Sequence, residues 1–312
     1  MSDEPKRRLV TRSDFDGLVC AMILKEKDLI DEIKFVHPKD VQDGKIELTE
    51  NDITTNLPFD PRSGLVFDHH ESELIRNTRI ANPDKYIIDP DAKSAARVVY
   101  DYYGGKEGLP RISEELMTAV DKGDSADFTL DEILHPTNWV LMNFIMDART
   151  GLGRFHDFRI SNYDLMMELI DYCVNHTVEE VLEIPDVKER VDLYFEQQEK
   201  FIEQIKRISR VEDKVVVIDL RNEETIYAGN RFMIYALYPE TQISVHVAWG
   251  FRKQNTAVMI GKSIVNKVSE ANIGELCLQY GGGGHKNAGT CQLDNDKVDE
   301  LLPDIITALN DA

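Results

Sequence analysis

The chain has 312 residues, 42% of them hydrophobic, which suffices for a real core and suits two domains better than one. Its formal net charge of −21 repels polyanions over the surface as a whole, so long duplex nucleic acid is not expected as a partner; a short anionic substrate, met locally by bound cations, is. No apolar run is long enough for a membrane span, Met1 to Arg8 lacks the apolar stretch of a signal peptide, and Cys20, Cys173, Cys277 and Cys291 are widely spaced, which predicts a cytoplasmic protein with buried reduced thiols and neither a zinc knuckle nor a disulfide framework.

In chain order, Arg8 to Thr11 reads as a short strand, Ser13 to Gly17 as a turn, and Leu18 to about Lys27 as an apolar-periodic helix. Further β-rich runs stand at Ile33 to Val36, Leu65 to Phe67 and Tyr86 to Ile88, and helical spacing resumes behind Ser94, an expected N-cap. This alternation predicts an α/β fold with a mostly parallel sheet flanked by helices, in which ligands bind beyond the carboxyl ends of the strands. From Ser161 to Arg210 charged helical periodicity predicts a helical connector. Beyond it, β-rich runs from Lys214, from Ile243 to Ala248 and from Thr256 to Ile260, closed by the glycines Gly281 to Gly284, predict a smaller α+β C-terminal domain. The expected division is 1–165, 166–210 and 211–312.

Three motifs carry chemistry. Asp14-Phe15-Asp16-Gly17 places two carboxylates behind a strand, with glycine allowing a tight turn into the helix; hard divalent cations take such oxygens, although an acidic helix cap has the same composition. Asp68-His69-His70 directly follows the apolar run Leu65-Val66-Phe67, and imidazole with carboxylate suits manganese, iron or zinc, one group orienting the other. Gly281-Gly282-Gly283-Gly284-His285-Lys286 combines backbone amides that can approach an oxyanion with two side-chain donors, the makings of a phosphate cradle. His37, His135, His156, His176 and His246 stand in no carboxylate cluster behind a strand, and Trp139 and Trp249 read as packing residues.

Asp-x-Asp-Gly, then Asp-His-His about fifty residues on, then Gly-Gly-Gly-His near the C-terminus resembles the DHH phosphoesterase family with its DHH-associated C-terminal domain, over most of the chain. The family includes the exonuclease RecJ, exopolyphosphatases, oligoribonucleases and cyclic-dinucleotide phosphodiesterases. The resemblance implies a hydrolase that cleaves phosphorus bonds with two manganese or magnesium ions. It makes Asp14, Asp16, His69 and Asp124 metal ligands, with Asp52 bridging, Asp68 as an orienting carboxylate and His70 beside the substrate phosphate. Asp121 is an alternative neighbour to Asp124. Substrate binding falls to Gly282, Gly283, Gly284 and His285, to Lys262 where many relatives carry arginine, and to Arg12.

One departure from the family pattern stands in the first motif. Relatives commonly carry a histidine just ahead of the Asp-x-Asp pair, where this chain has Val10, Thr11 and Arg12. One metal site is therefore expected to be weakened, and Arg12 to supply positive charge toward a phosphate. The expected activity is hydrolysis of phosphodiester bonds in short oligonucleotides or small nucleotides, in a cleft between the domains. The alternatives are hydrolysis of polyphosphate and a catalytically weakened regulator that binds nucleotide or phosphate; a homodimer is compatible with each.

Overall fold

The computed structural model describes residues 6–70, 83–155 and 157–312, so His156 lies outside the described residues. The chain forms two compact units: one from Met1–Asp127 with Pro136–Leu193, the other from Phe128–His135 with Tyr194–Ala312.

The first unit is built on strands β1 (Arg7–Arg12), β2 (Ile30–Val36), β3 (Asp52–Thr55), β4 (Leu65–Asp68) and β5 (Tyr86–Ile88). They form a parallel sheet of order β2-β1-β3-β4-β5. In this order the chain leaves β1 toward β2 on one side and later returns to its other side as β3. The reversal opens a crevice beyond the carboxyl ends of β1 and β3.

Helices α1 (Phe15–Glu26), α2 (Ala95–Tyr102), α3 (Glu114–Asp124), α4 (Asn138–Met146) and α5 (Asn162–Asn175) supply the remaining core. Helix α1 is apolar on every side and buried from Phe15 to Leu24, as a helix enclosed by neighbours must be. Ser94 caps α2, its side chain accepting from Arg97 N. The segment 166–210 is mainly helical, and its first helix, α5, buries Leu165, Met166, Leu169 and Ile170 in the core of the first unit. Helix α6 (Pro185–Ile208) then carries the chain into the second unit.

Strand β3 has no counterpart among the predicted strands. Its sequence, Asp-Ile-Thr-Thr, has neither an apolar run nor strict alternation, yet all four residues are buried because it lies between β1 and β4.

The second unit holds a six-stranded mixed sheet of order β10-β11-β9-β8-β7-β6. Its strands are β6 (Ser209–Glu212), β7 (Val215–Asp219), β8 (Ile243–Trp249), β9 (Thr256–Lys262), β10 (Gly283–His285) and β11 (Ala288–Leu293). Helices α7 (Ile273–Gln279) and α8 (Val298–Asp311) pack with Val215, Val245, Val258 and Cys291 into one core.

Part of the glycine run is strand. Gly283 to His285 pair antiparallel with Ala288 to Thr290, because the missing side chains let two backbones meet: a Cβ at Gly282 would collide with Thr290 O, and one at Gly284 with Ala288 O. All four cysteines are free and buried. Trp139 is buried and stacks on Phe15, whereas Trp249, expected to pack, is 36% exposed at the end of β8. Among the described residues, no helix is long and apolar enough to cross a membrane.

Candidate metal centre

The carboxyl edge of the parallel sheet collects most of the residues named from the motifs. Asp14 caps α1, its carboxylate accepting from Gly17 N at 3.0 Å. Arg12 Nε, at the end of β1, lies 2.9 Å from Asp14 Oδ2. This turn requires glycine at position 17, since a Cβ there would run into Arg12 O. Asp16, one residue into α1 and 2% exposed, accepts from Ala95 N at 3.0 Å and Ala96 N at 2.7 Å. The first turn of α2 thus points its amides at a buried carboxylate.

Asp68 closes β4. It is 1% exposed, with Oδ1 2.7 Å from His70 Nδ1, while Oδ2 is buried without a hydrogen-bond partner. His69 Nδ1 meets Ala92 O at 3.3 Å. Its Nε2 lies 3.0 Å from Oδ2 of Asp124, the last residue of α3, without the alignment of a hydrogen bond.

Asp16, His69 and Asp124 can each aim one donor atom so that all lie within 4.8 Å of one another, and Asp68, His69 and His70 form a second such group. Carboxylate and imidazole donors converging on buried atoms left without partners fit a divalent cation. A cavity of about 30 Å³ beside them is bordered by Asp14, Asp16, Asp124, Asn143, Asp147 and Arg149, room for an ion and water and too small for a nucleotide.

The electrostatics match that reading. Burial, then Arg12 against it, leaves the carboxyl of Asp14 raised above its usual range. Burial and the nearby Asp124 push Asp16 well up. Burial opposes a charge on His69, but Asp124, Asp16 and Asp68 overcome it and raise the imidazole to about 9. Burial likewise opposes ionisation of Asp124, and His69 reverses it, holding that carboxyl below its ordinary value. Crowded buried carboxylates that stabilise a cationic imidazole would stabilise a metal cation for the same reason.

No protein-family model and no curated protein matches the chain. Among solved structures it is similar to the pGpG-specific phosphodiesterase PggH from Vibrio cholerae, with 56% identity over 98% of this chain and 99% of that one and a TM-score of 0.83. The chain belongs to the DHH phosphoesterase family. It is accordingly a phosphoester hydrolase. It is also similar in fold to RecJ from Thermus thermophilus, solved in complex with Mn2+, with 14% identity over 98% of this chain and 52% of that one and a TM-score of 0.50.

Within the DHH frame one predicted ligand is displaced. Asp52 begins β3, at the amino edge of the sheet, and its carboxylate is taken by Arg8 Nε at 2.7 Å, Arg8 Nη2 at 2.9 Å and Thr49 N at 2.6 Å. Arg8 holds it below the usual carboxylate range despite burial. Asp52 is therefore a structural anchor remote from the crevice and bridges nothing there.

The residue that β3 delivers to the carboxyl edge is Asn56. It has a left-handed φ of 53°, its Nδ2 lies 3.4 Å from Asp14 Oδ1, and its Oδ1 is buried without a partner. Asp121 is likewise occupied, by Arg97 at 2.7 Å and Ser94 at 2.7 Å.

Asn143, Asp147 and Arg149 join the centre without having been signalled by the motifs. Arg149 pairs with Asp147 at 2.8 Å and also feels Asp14 and Asp124. Gly123 admits Asn143, whose amide occupies the space a Cβ would need. The one sequence signal was Asp147-Ala148-Arg149, a charge pair directly behind an apolar helix.

In the second unit, Lys262 ends β9 with Nζ donating to Ser269 O at 3.1 Å, and His285 is exposed at the end of β10.

Proposed function

We propose that this DHH hydrolase cleaves the phosphodiester bond of short linear dinucleotides, pGpG among them, with manganese or magnesium held in the centre described above. The observation that carries the reading is the 56% identity, across nearly the full length of both chains, to a pGpG-specific phosphodiesterase. In this assignment Asp16, His69 and Asp124 hold one ion. Asp68, His69 and His70 are the donors that could hold a second, while Asn56, whose Nδ2 lies 3.4 Å from Asp14 Oδ1, brings an amide and not a carboxylate to this edge.

The bound cations supply Lewis-acid stabilisation of the charge that develops on the phosphorus oxygens, and acidity to water. The protein does the rest. Asp68 holds His70 through Nδ1, which fixes the tautomer and the orientation of the ring. Arg12 and Arg149 stand beside the acidic cluster as cations for the same phosphate. The amides of α2 hold Asp16 in place throughout. Gly282, Gly283, Gly284, His285 and Lys262 of the second unit are assigned to substrate binding.

Purified protein with manganese should convert pGpG to mononucleotide and leave polyphosphate untouched. Asp68→Ala and His69→Ala should each lower that rate more than about a hundredfold while the fold persists. Turnover retained in both variants would overturn the site assignment. The reading as a binding regulator draws support from Asn56, which puts an amide where a carboxylate would strengthen the centre. That reading prevails if the protein with manganese binds nucleotide and turns over neither pGpG nor polyphosphate.

A further inference from the structure

The first unit carries a second concavity at the opposite edge of its sheet. A cleft of about 290 Å³ opens where β1, β3 and β4 begin, bordered by Lys6, Arg7, Leu65, Lys85, Tyr102 and Tyr103. Its residues are not those of the metal centre. Strand β1 alone, six residues long, separates the two edges by roughly 20 Å.

The cleft concentrates positive charge on a protein whose net charge is −21. Lys6 pairs with Asp28 at 2.5 Å and Lys85 with Glu50 at 3.3 Å, but these carboxylate side chains are 55% and 84% exposed and free to yield to a stronger anion. Among the described residues, Arg7 has no carboxylate partner.

Beside these cations stands an aromatic pair. Tyr102 contacts Phe67 and Tyr103 edge-on, with centroids at 5.1 and 5.0 Å, yet remains 52% exposed; Lys27 lies 5.9 Å from the Tyr103 centroid. A surface tyrosine kept half open beside a guanidinium that has no carboxylate partner among the described residues combines two things a nucleotide needs, a ring face for the base and a fork for the phosphate.

We propose that this cleft binds a nucleoside monophosphate, with the phosphate at Arg7, Lys6 and Lys85 and the base against Tyr102. Stacking on tyrosine discriminates poorly between bases, so the site takes nucleoside monophosphates as a class. The inference stands apart from the identity of the substrate hydrolysed at the metal centre.

The test is equilibrium dialysis of the full chain with GMP, AMP, guanosine and inorganic phosphate, in EDTA so that no divalent ion contributes. GMP and AMP should bind saturably with similar affinity. The Arg7→Glu/Lys85→Glu variant should weaken both about tenfold or more, and Tyr102→Ala should weaken the nucleotides while leaving inorganic phosphate unchanged. Each variant should keep the wild-type melting temperature and its metal-dependent hydrolysis. Should Arg7→Glu lower the melting temperature, Lys85→Glu alone, at a side chain 41% exposed, carries the test. No saturable binding of GMP, equal binding by the charge-reversed variants, or inorganic phosphate binding as tightly as GMP would each overturn the proposal.

Discussion

Asp52 begins strand β3 and Asn56 directly follows its end, and that Asp52 does not take the role expected of it follows from strand direction. In a parallel sheet every strand delivers its last residue to the ligand edge and its first to the opposite one. A carboxylate at the start of β3 therefore meets Arg8, and the amide after its end meets Asp14. Asn56→Asp should tighten manganese binding, and Asn56→Leu should weaken it, by about tenfold each way as read by calorimetric titration; equal affinities in the two variants would remove Asn56 from the centre. Gly17→Ala tests the adjoining turn. Its Cβ meets a backbone carbonyl that cannot swing aside, so a loss of about 2–3 kcal/mol in urea unfolding, with activity falling alongside, is expected. A variant as stable as wild type would mean that the turn opens easily.

Helix and strand periodicities told the elements apart where apolar residues dominate. Helix α1 and strands β1, β2, β4 and β5 all coincide with predicted segments, and so does the cap at Ser94. Illegible were β3, too short and too polar, and β10, where consecutive glycines read as a loop and are in fact flush against β11. Strand β3 owes its burial to β1, remote in sequence, whereas β10 is made a strand by β11 across a two-residue turn, where the absence of side chains and not an apolar pattern lets the backbones pair.

Strand β8 carries a titration of its own. Burial, followed by the cation of Arg231, pushes His246 down to about 4. Below about pH 6.5 the unfolded chain takes up a proton that the folded one refuses, so this contribution is complete above that pH and is lost as pH falls toward 4. Urea unfolding should show a loss on the order of 1–3 kcal/mol between pH 7 and pH 4.5, flattened in His246→Gln. A pH profile identical in wild type and variant would mean that this half-buried imidazole titrates alike in the folded and unfolded chain.

At the scale of the whole molecule, charge selects the substrate class. With −21 net charges, affinity for a polyanion can arise only where cations concentrate, and a long duplex would lay many phosphates on acidic surface. Filter binding at physiological salt should retain no duplex of about forty base pairs, whereas a dinucleotide should be bound in a manganese-dependent way. Retention of the duplex would place a basic track on a surface that composition excludes.

The sequence by itself determined the family, the α/β class of the first domain and the location of Asp14, Asp16, Asp68 and His69, because these residues follow strands whose apolar runs are visible locally. The resemblance had already named Asp124 ahead of Asp121, and Asp124 is the one that faces His69; only the tertiary structure decided that Asn56 rather than Asp52 stands at the crevice, and that Asn143, Asp147 and Arg149 border it. Those choices depend on which end of a strand or helix meets which neighbour. Such meetings are made by packing between segments far apart in the chain, and no local pattern of residues encodes them.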